Sequence, residues 1–440
     1  MPKMLFIQPT QYGVDGKLCK QKKIYLPGLV FPLLASMTPD NWEVSVKIEV
    51  VDDLDFNEDA DLVGIGTMGY TIYRALEIAS HYRKRGIPVV LGGYMASMVV
   101  EESLKHVDSV VVGDAEISYP KLLADYERTG RIESVYDNRV ENLAGLPVPR
   151  YELLTEKPIG NMLPVQAGRG CVHKCSFCSI ACIYKGRYLT RPVDEVLRDI
   201  QAVKDLGFKR FYLLDDNIVS NPPFFRALCS ELEPLKMTWA TQCSINLARN
   251  PRLLEAAVRA GCNLLSLGIE SITQEGLDLL DKRWLKVEDH EELLSRIYKA
   301  GIMPSTEMML GTDSDTEESI RATLDFVERN KLPIPRFYIL TPIPGSELHE
   351  ELRQKGRLTT EDLSKYDGST CVHRPERISP EKVTELYWWL NQRVFSLWSI
   401  LKRTLLKREA LKNPLLHLFA FGVNLHYRHY IKRKVPPNIF

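Results

Sequence analysis

The chain lacks any uncharged apolar run near the ~18 residues that a membrane-spanning helix needs. No secretory leader is expected either, because the apolar run in Met1-Pro2-Lys3-Met4-Leu5-Phe6-Ile7 is short and breaks at Pro9. A cytoplasmic location is therefore expected. Net charge is missing too: 57 lysines and arginines balance 57 aspartates and glutamates. This balance argues against a nucleic-acid protein in bulk, and no nucleic-acid partner is expected. Nine cysteines are present, yet no second x2–x4 cysteine cluster answers the first, as the tetrahedral zinc sites of most modules would require. In a reducing compartment such cysteines serve as metal ligands rather than disulfides. At 440 residues the chain is long enough for two or three domains with full cores.

What is present is one compact cysteine constellation, Gly168-Arg169-Gly170-Cys171-Val172-His173-Lys174-Cys175-Ser176-Phe177-Cys178. Three thiols spaced x3 and x2 on one loop can converge on a single cluster. A structural zinc closes its shell with four protein ligands, whereas a cubane held by three cysteines leaves one iron free for a small molecule. The alternatives are three unrelated buried thiols, or a zinc knuckle completed by His173 or Cys182. Spacing and ligand count favour the iron–sulfur reading.

Two regions of strand–helix alternation flank this loop. In the first, apolar strand-like runs at Met4 to Gln8, Trp42 to Val51, Leu62 to Thr67, Val89 to Gly93 and Ser109 to Gly113 predict a parallel, doubly wound Rossmann-like sheet over 1–130. Ligands bind such sheets at the carboxyl ends of the strands. Those ends are Thr67-Met68-Gly69, Gly92-Gly93-Tyr94 and Gly113-Asp114-Ala115-Glu116. Glycine there permits close backbone approach to a ligand, or simply makes a tight turn. Residues 131–160, with Leu146-Pro147-Val148-Pro149, read as a linker. Over 161–345 the alternation resumes six times, with strands at Met162 to Gln166, Arg210 to Leu214, Met237 to Gln242, Leu264 to Gly268, Ser305 to Gly311 and Arg336 to Thr341. Six parallel strands predict a partial (β/α)6 barrel of the TIM type, with its site at the strands' C-terminal ends. Polar residues there are Asp215, Asp216 and Asn217, then Ser244, then Glu270 and Ser271. Helix capping is the competing account of such residues, and for Asn217 and Ser271 the two readings stand level. Cys182, Cys229, Cys243 and Cys262 read as structural, with Cys243 set apart by its place at a strand end.

Cys171-x3-Cys175-x-Phe177-Cys178 resembles the radical S-adenosylmethionine (SAM) enzymes in spacing and in the aromatic before the last cysteine. The run from Cys178-Ser179-Ile180 through Gly186-Arg187-Tyr188 to Arg191-Pro192-Val193 is similar to the branch with an N-terminal cobalamin-binding domain. The resemblance implies a [4Fe-4S] cluster on Cys171, Cys175 and Cys178, with SAM on the open iron. It tips the balance toward SAM contact for Asp215, Asp216 and Glu270, with Phe177, Asn217, Ser244 and Ser271 as further candidates for SAM binding. It places cobalamin against Thr67, Met68, Gly69, Gly92, Gly93, Tyr94, Gly113, Asp114 and Glu116. Members of this branch cleave SAM to methionine and a 5′-deoxyadenosyl radical that abstracts hydrogen from an unactivated carbon, and the methylating members pass a methyl group from cobalamin to the substrate. An electron donor such as flavodoxin or ferredoxin is implied. The chain departs from the cobalamin proteins that supply a histidine to cobalt, because no Asp-x-His-x-x-Gly occurs and His81 and His106 lie in helical, exposed contexts. Cobalamin is thus expected without histidine ligation, its nearest side chains coming from the Thr67 to Arg74 loop. C-methylation is the expected reaction. Its rivals are a cobalamin-dependent cyclisation or rearrangement, transfer-RNA methylthiolation (which needs three further N-terminal cysteines where only Cys19 occurs), and a non-catalytic iron–sulfur or cobalamin sensor.

Residues 346–440 read as a helical C-terminal cap. The helix expected from Pro380 to Ile400 and its surroundings carry Trp388, Trp389, Phe395 and Trp398, an aromatic stripe that reads as core. Beyond Ser396, nine cations (Lys402, Arg403, Lys407, Arg408, Lys412, Arg428, Lys432, Arg433 and Lys434) face one acid, Glu409. They interleave with large apolar residues such as Leu405, Leu415, Leu418 and Phe419. A basic amphipathic tail suits the anionic inner face of a membrane, with a solvated basic face and a nucleic-acid contact as the alternatives. The substrate expected beside it is a small apolar molecule, lipid-like or a tetrapyrrole.

Overall fold

The computed structural model describes residues 1–13 and 16–437, apart from the Arg408 side chain; of the basic tail, that side chain and Asn438, Ile439 and Phe440 lie outside the described residues. The described residues divide into two compact units, residues 1–167 with 189–212, and residues 168–188 with 213–437.

The first unit is built on β1 (Lys3–Gln8), β2 (Glu43–Ile48), β3 (Leu62–Gly66), β4 (Val89–Gly92), β5 (Ser109–Val111) and β6 (Val135–Tyr136), in the order β2-β1-β3-β4-β5-β6. Every pairing is parallel. Strands covered on both faces must be apolar on both, and Met4, Leu5, Phe6 and Ile7 are all buried in β1. Gly64 on β3 makes room for two of them, since a Cβ there would meet Met4 and Phe6 at 2.7 and 2.9 Å. Helices Val30–Ser36, Ile72–Lys84 and Ala115–Thr129 complete the winding. Because the chain leaves β1 for β2 on one side and returns to β3 on the other, the strand order reverses at β1 and β3. Their carboxyl ends form the crevice in which such folds bind ligands.

Residues 131–160 do more than link. They supply β6, the helix Glu152–Thr155, and Val140, Leu143 and Leu146, which pack with Leu33 in a buried cluster. The two closely spaced prolines interrupt secondary structure there but leave the apolar side chains free to fill a core.

A second parallel sheet uses β7 (Leu163–Gln166), β10 (Arg210–Leu214), β11 (Thr238–Cys243), β12 (Cys262–Glu270), β13 (Met303–Leu310) and β14 (Ile334–Ile339), in the order β14-β13-β12-β11-β10-β7. From β10 onward each strand is followed by a helix or helical turn, the open α/β arrangement expected from the alternation. Two short strands, β8 (Gly168–Gly170) and β9 (Tyr188–Thr190), form a separate two-stranded sheet and lie in the sequence on either side of the cysteine loop.

The C-terminal region is helical, with Pro380–Val394, Leu397–Thr404 and Pro414–Ile431. The single helix expected to reach Ile400 breaks at Phe395 and Ser396, because Ser396 accepts a hydrogen bond from the Ser399 N–H and restarts the chain as a new cap. Phe395 is core, but Trp398 is 60% exposed, so the aromatic stripe splits between interior and surface. Among the described residues, no helix is long and apolar enough to cross a membrane.

Candidate functional site

The cysteine loop is held by backbone geometry before any ligand is considered. Gly170, next to Cys171, has φ +87°, and a Cβ there would lie 2.2 Å from the Arg187 carbonyl oxygen. Only glycine tolerates both that dihedral and that approach. Its N–H donates to Asp216 Oδ2 at 2.6 Å. The Asn217 side-chain N–H contacts Cys171 Sγ at 3.5 Å, and its Oδ1 accepts from the Ser244 N–H at 2.9 Å. From the C-terminal region, the Leu348 N–H donates to the Ser176 carbonyl at 3.0 Å. The ends of β10 and β11 thus brace the loop from one side, and the helix Glu347–Gln354 braces it from another.

Asp215, Asp216 and Asn217 follow β10 as the alternation predicts, and the structure gives each a distinct environment. Asp215 is buried, accepts from Tyr188 Oη at 2.7 Å and from the Asn217 N–H at 2.8 Å. Burial pushes its carboxyl up to about 7 against the lowering effect of these donors. Asp216 grips the cysteine loop directly. Asn217 does not cap the helical turn it precedes, because its amide is engaged with Cys171 and Ser244. Ser244 and Ser271 follow local logic: Ser244 caps Ile245–Arg249 by accepting from the Asn246 N–H, and Ser271 accepts from the Thr273 N–H. Cys243 ends β11 but is buried, and burial raises its thiol far above the ordinary range. Cys229 and Cys262 are buried as well, while Cys182 lies in the helix Ser179–Tyr184 with its thiol donating to the Cys178 carbonyl at 3.3 Å.

Glu270 is the last residue of β12 rather than the start of a loop, and it adopts a left-handed φ of 62°. Its carboxylate is ion-paired at 2.5 Å with Lys282, and both groups are buried. Gly268 leaves room for the pair, since a Cβ there would sit 2.3 Å from Glu270 Oε1 and displace that carboxylate. The Lys282 ammonium lies over the rings of Phe177, at 5.8 Å, and Trp284, at 5.7 Å. Trp284 in turn stacks on His173 of the cysteine loop, with centroids 3.8 Å apart and planes inclined by 8°. Lys282 and Trp284 belong to no motif or spacing that marks them in the sequence.

In the first unit the three predicted loops interlock. Thr67 donates from its N–H and its hydroxyl to the Gly92 carbonyl, at 2.8 and 3.1 Å. The Gly69 N–H donates to Tyr94 Oη at 2.9 Å, and the Gly113 N–H donates to Ser97 Oγ at 2.9 Å. Gly93 is required by this interlock, with φ +102° and a hypothetical Cβ 2.4 Å from the Thr67 oxygen. Gly92 and Gly113 differ, because a Cβ on either would project into open space. Met68 is half exposed, and Asp114 and Glu116 are partly buried at the start of the helix Ala115–Thr129. Arg74, at the far end of the Thr67 loop, is committed elsewhere: it pairs with Glu49 and Glu77 and donates to Tyr12 Oη. Pro9-Thr10-Gln11-Tyr12, following β1 at the reversal of strand order, completes this rim and was not anticipated. His81 and His106 are exposed, as expected.

The Radical SAM superfamily model matches residues 165–327. A bacteriochlorophyllide d C-12(1)-methyltransferase of Chlorobaculum tepidum is 30% identical over 78% of this chain and 76% of its own length. The chain belongs to the radical SAM superfamily. A bacteriochlorophyllide d C-8(2)-methyltransferase of the same organism is also 30% identical, over 89% of this chain and 90% of its own length. The solved radical SAM methyltransferase TsrM of Kitasatospora setae, a structure with cobalamin and a [4Fe-4S] cluster bound, shares the fold with a TM-score of 0.70 at 16% identity, covering 99% of both chains. This radical SAM enzyme therefore has an architecture common to that structure from end to end.

The residues fit a site-differentiated cluster. Cys171, Cys175 and Cys178 are free thiols on one braced loop. Burial pushes Cys175 up to about 12 and raises Cys178, so neither would ionise without a cation to bind. Among the described residues no three potential ligands are gathered as one metal ion would need. A cubane spreads its thiolates over different irons, so a single-ion shell is not the arrangement it requires. The first-unit rim fits a large ligand lying over glycine: two of its glycines open outward, and the Thr67–Arg74, Gly92–Ser97 and Gly113–Ser118 segments contain no histidine.

Proposed function

We propose that this enzyme is a cobalamin-dependent radical SAM C-methyltransferase acting on a small apolar substrate, tetrapyrrole or lipid-like. The observation that carries the reading is the 30% identity to a bacteriochlorophyllide methyltransferase over 89% of this chain, spanning both strand–helix regions. In this reading Cys171, Cys175 and Cys178 ligate the cluster, and Asp216 and Asn217 hold their loop in shape. Phe177, Asp215, Ser244, Glu270 and Ser271 border the SAM position, and the buried Lys282 ammonium lends positive charge to the same neighbourhood. Thr67-Met68-Gly69, Gly92-Gly93-Tyr94 and Gly113-Asp114 with Glu116 carry cobalamin without a histidine ligand. When bound, cluster and cobalamin supply one-electron cleavage of SAM and a methyl carrier, while the chain binds, orients and excludes water. The domain limits that go with this reading are 1–130, 161–345 and 346–440. A flavodoxin or ferredoxin supplies the electron, and contact with the inner face of a membrane gives access to an apolar substrate.

The test is purification without oxygen from cobalamin-fed cells. Absorbance and low-temperature electron paramagnetic resonance report the cofactors, and SAM carrying a labelled methyl group is supplied with candidate tetrapyrroles. A four-iron cluster, cobalamin, deoxyadenosine release and label in the product support the reading. A product without the label, formed at the expense of SAM, replaces methylation by cyclisation or rearrangement.

A further inference from the structure

The C-terminal helix Pro414–Ile431 is built inside out. Its inward face, on which His417, Ala420, Asn424, Tyr427 and Ile431 are buried, carries the polar groups. His417 engages the Thr404 carbonyl at 2.7 Å and Tyr298 Oη at 2.9 Å. Asn424 donates to the Pro333 carbonyl at 2.8 Å and accepts from Arg403 at 2.9 Å. The outward face instead carries Leu415, Leu418, Phe419 and Leu425, all exposed, Leu415 at 77%. A surface helix normally has the opposite polarity. Trp398 and Leu397 on the preceding helix and Leu411 between the two are exposed as well, so the apolar surface spans two helices rather than one stray side chain.

The cations of this region sort into two sets. Arg403 and Lys407 point inward: Arg403 donates to the Leu332 and Val394 carbonyls at 2.6 and 2.8 Å, and Lys407 donates to the Lys331 carbonyl at 2.5 Å. Both side chains are buried, so neither contributes to a charged outer face. Lys402, Lys412, Lys432, Arg433 and Lys434 remain exposed, and Lys402 lies 5.2 Å from the Trp398 ring centroid. From Leu397 to Pro437 the single acid is Glu409.

We propose that the outward face of Leu397–Thr404 and Pro414–Ile431 docks on an anionic membrane surface, with Trp398, Leu415, Leu418 and Phe419 entering the headgroup boundary and the exposed cations meeting lipid phosphates. The proposal rests on the membrane contact of the preceding section and gives it a surface. A second copy of the chain is the poorer occupant, because a two-fold contact would set this cationic patch against itself. Anionic lipid complements both the charge and the apolar side chains.

The experiment is co-sedimentation of the full holoenzyme with phosphatidylcholine vesicles, with and without phosphatidylglycerol. The variants are Leu418→Ser with Phe419→Ser, and Lys432→Gln with Arg433→Gln and Lys434→Gln; all five side chains are exposed, so the fold is not at stake. Wild type is expected to sediment with the anionic vesicles. The apolar double variant should stay in solution, and binding should fall about fivefold for each cation removed. Equal binding to neutral vesicles, or an apolar variant that binds like wild type, overturns the proposal. So does a dimer in light scattering that the apolar variant dissociates, which would assign the face to a second copy. SAM cleavage measured without vesicles reads the cysteine site alone, so its absence refutes the enzyme reading while vesicle binding still decides this one.

Discussion

Asp216→Ala separates two roles for the residues after β10. The carboxylate accepts the Gly170 N–H at 2.6 Å, and Gly170 is already fixed by φ +87° and by the Arg187 carbonyl behind it. A hydrogen bond to an ionised group contributes about 1.5–3 kcal/mol. Its loss should therefore shift the cysteine loop away from its ligating shape by roughly ten- to hundredfold. Global stability should change little, because Asp216 sits on a half-buried loop rather than in a core. The assay is iron release from anaerobically reconstituted protein challenged with a chelator, with SAM binding measured in parallel by equilibrium dialysis. Faster release in Asp216→Ala, intermediate in Asp216→Asn because an uncharged acceptor remains, is the expected result. Unchanged iron retention together with lost SAM affinity would refute the bracing role and return Asp216 to direct SAM contact.

Three further outcomes are expected. Cys175→Ala should abolish both the cluster absorbance and SAM cleavage, whereas Cys229→Ala, a core thiol in the helix Pro222–Leu232, should keep both. Gly93→Ala combines a φ of +102° with a Cβ 2.4 Å from the Thr67 oxygen, and should lower the thermal midpoint and weaken cobalamin retention, at a cost of about 1–3 kcal/mol for the backbone strain alone. His290 is fully buried, neither ring nitrogen finds a partner among the described residues, and burial holds its value down to about 4. With an unfolded value near 6.5, the unfolded chain binds the extra proton first as pH falls. Stability should thus decline between about pH 6.5 and 4, by up to about 3 kcal/mol; urea midpoints of His290→Leu should lack that component, and an unchanged acid slope would contradict it.

Much of the fold was legible because parallel strands buried on both faces are written as apolar runs, as at Met4–Ile7 and Leu62–Ile65. The order of strands at β1 and β3 was not, since no local pattern says on which side the next strand is laid. β6 is two residues long and leaves almost no periodic signal. At the site, the cysteines were legible because ligand number and spacing are themselves chemistry. The bracing contacts were not: Gly170 and Asp216 are 46 residues apart, and Lys282 reaches Glu270 only through the turn around Asp281. The tail was half legible. Its composition showed cations among leucines, but whether a given cation faces solvent depends on which carbonyls the fold leaves unpaired, and Arg403 and Lys407 answer such carbonyls from within.

The Glu270–Lys282 pair shows why residues at strand ends can serve shape and chemistry together. A buried ion pair is weak evidence for stability, since an apolar pair of similar size is often as stable. This one carries an added cost, a left-handed φ at Glu270. Its placement is better explained by charge. The Lys282 ammonium acts favourably on ionised Cys175 and Cys178, lowering both thiols against the desolvation that raises them, and the Phe177 and Trp284 rings hold it on that side. Glu270 then balances the ammonium when the loop carries no metal, keeping an otherwise isolated buried cation compatible with folding. The same carboxylate that sequence alone offers as a SAM contact is, in the folded chain, also the counter-ion of the ammonium that acts on Cys175 and Cys178.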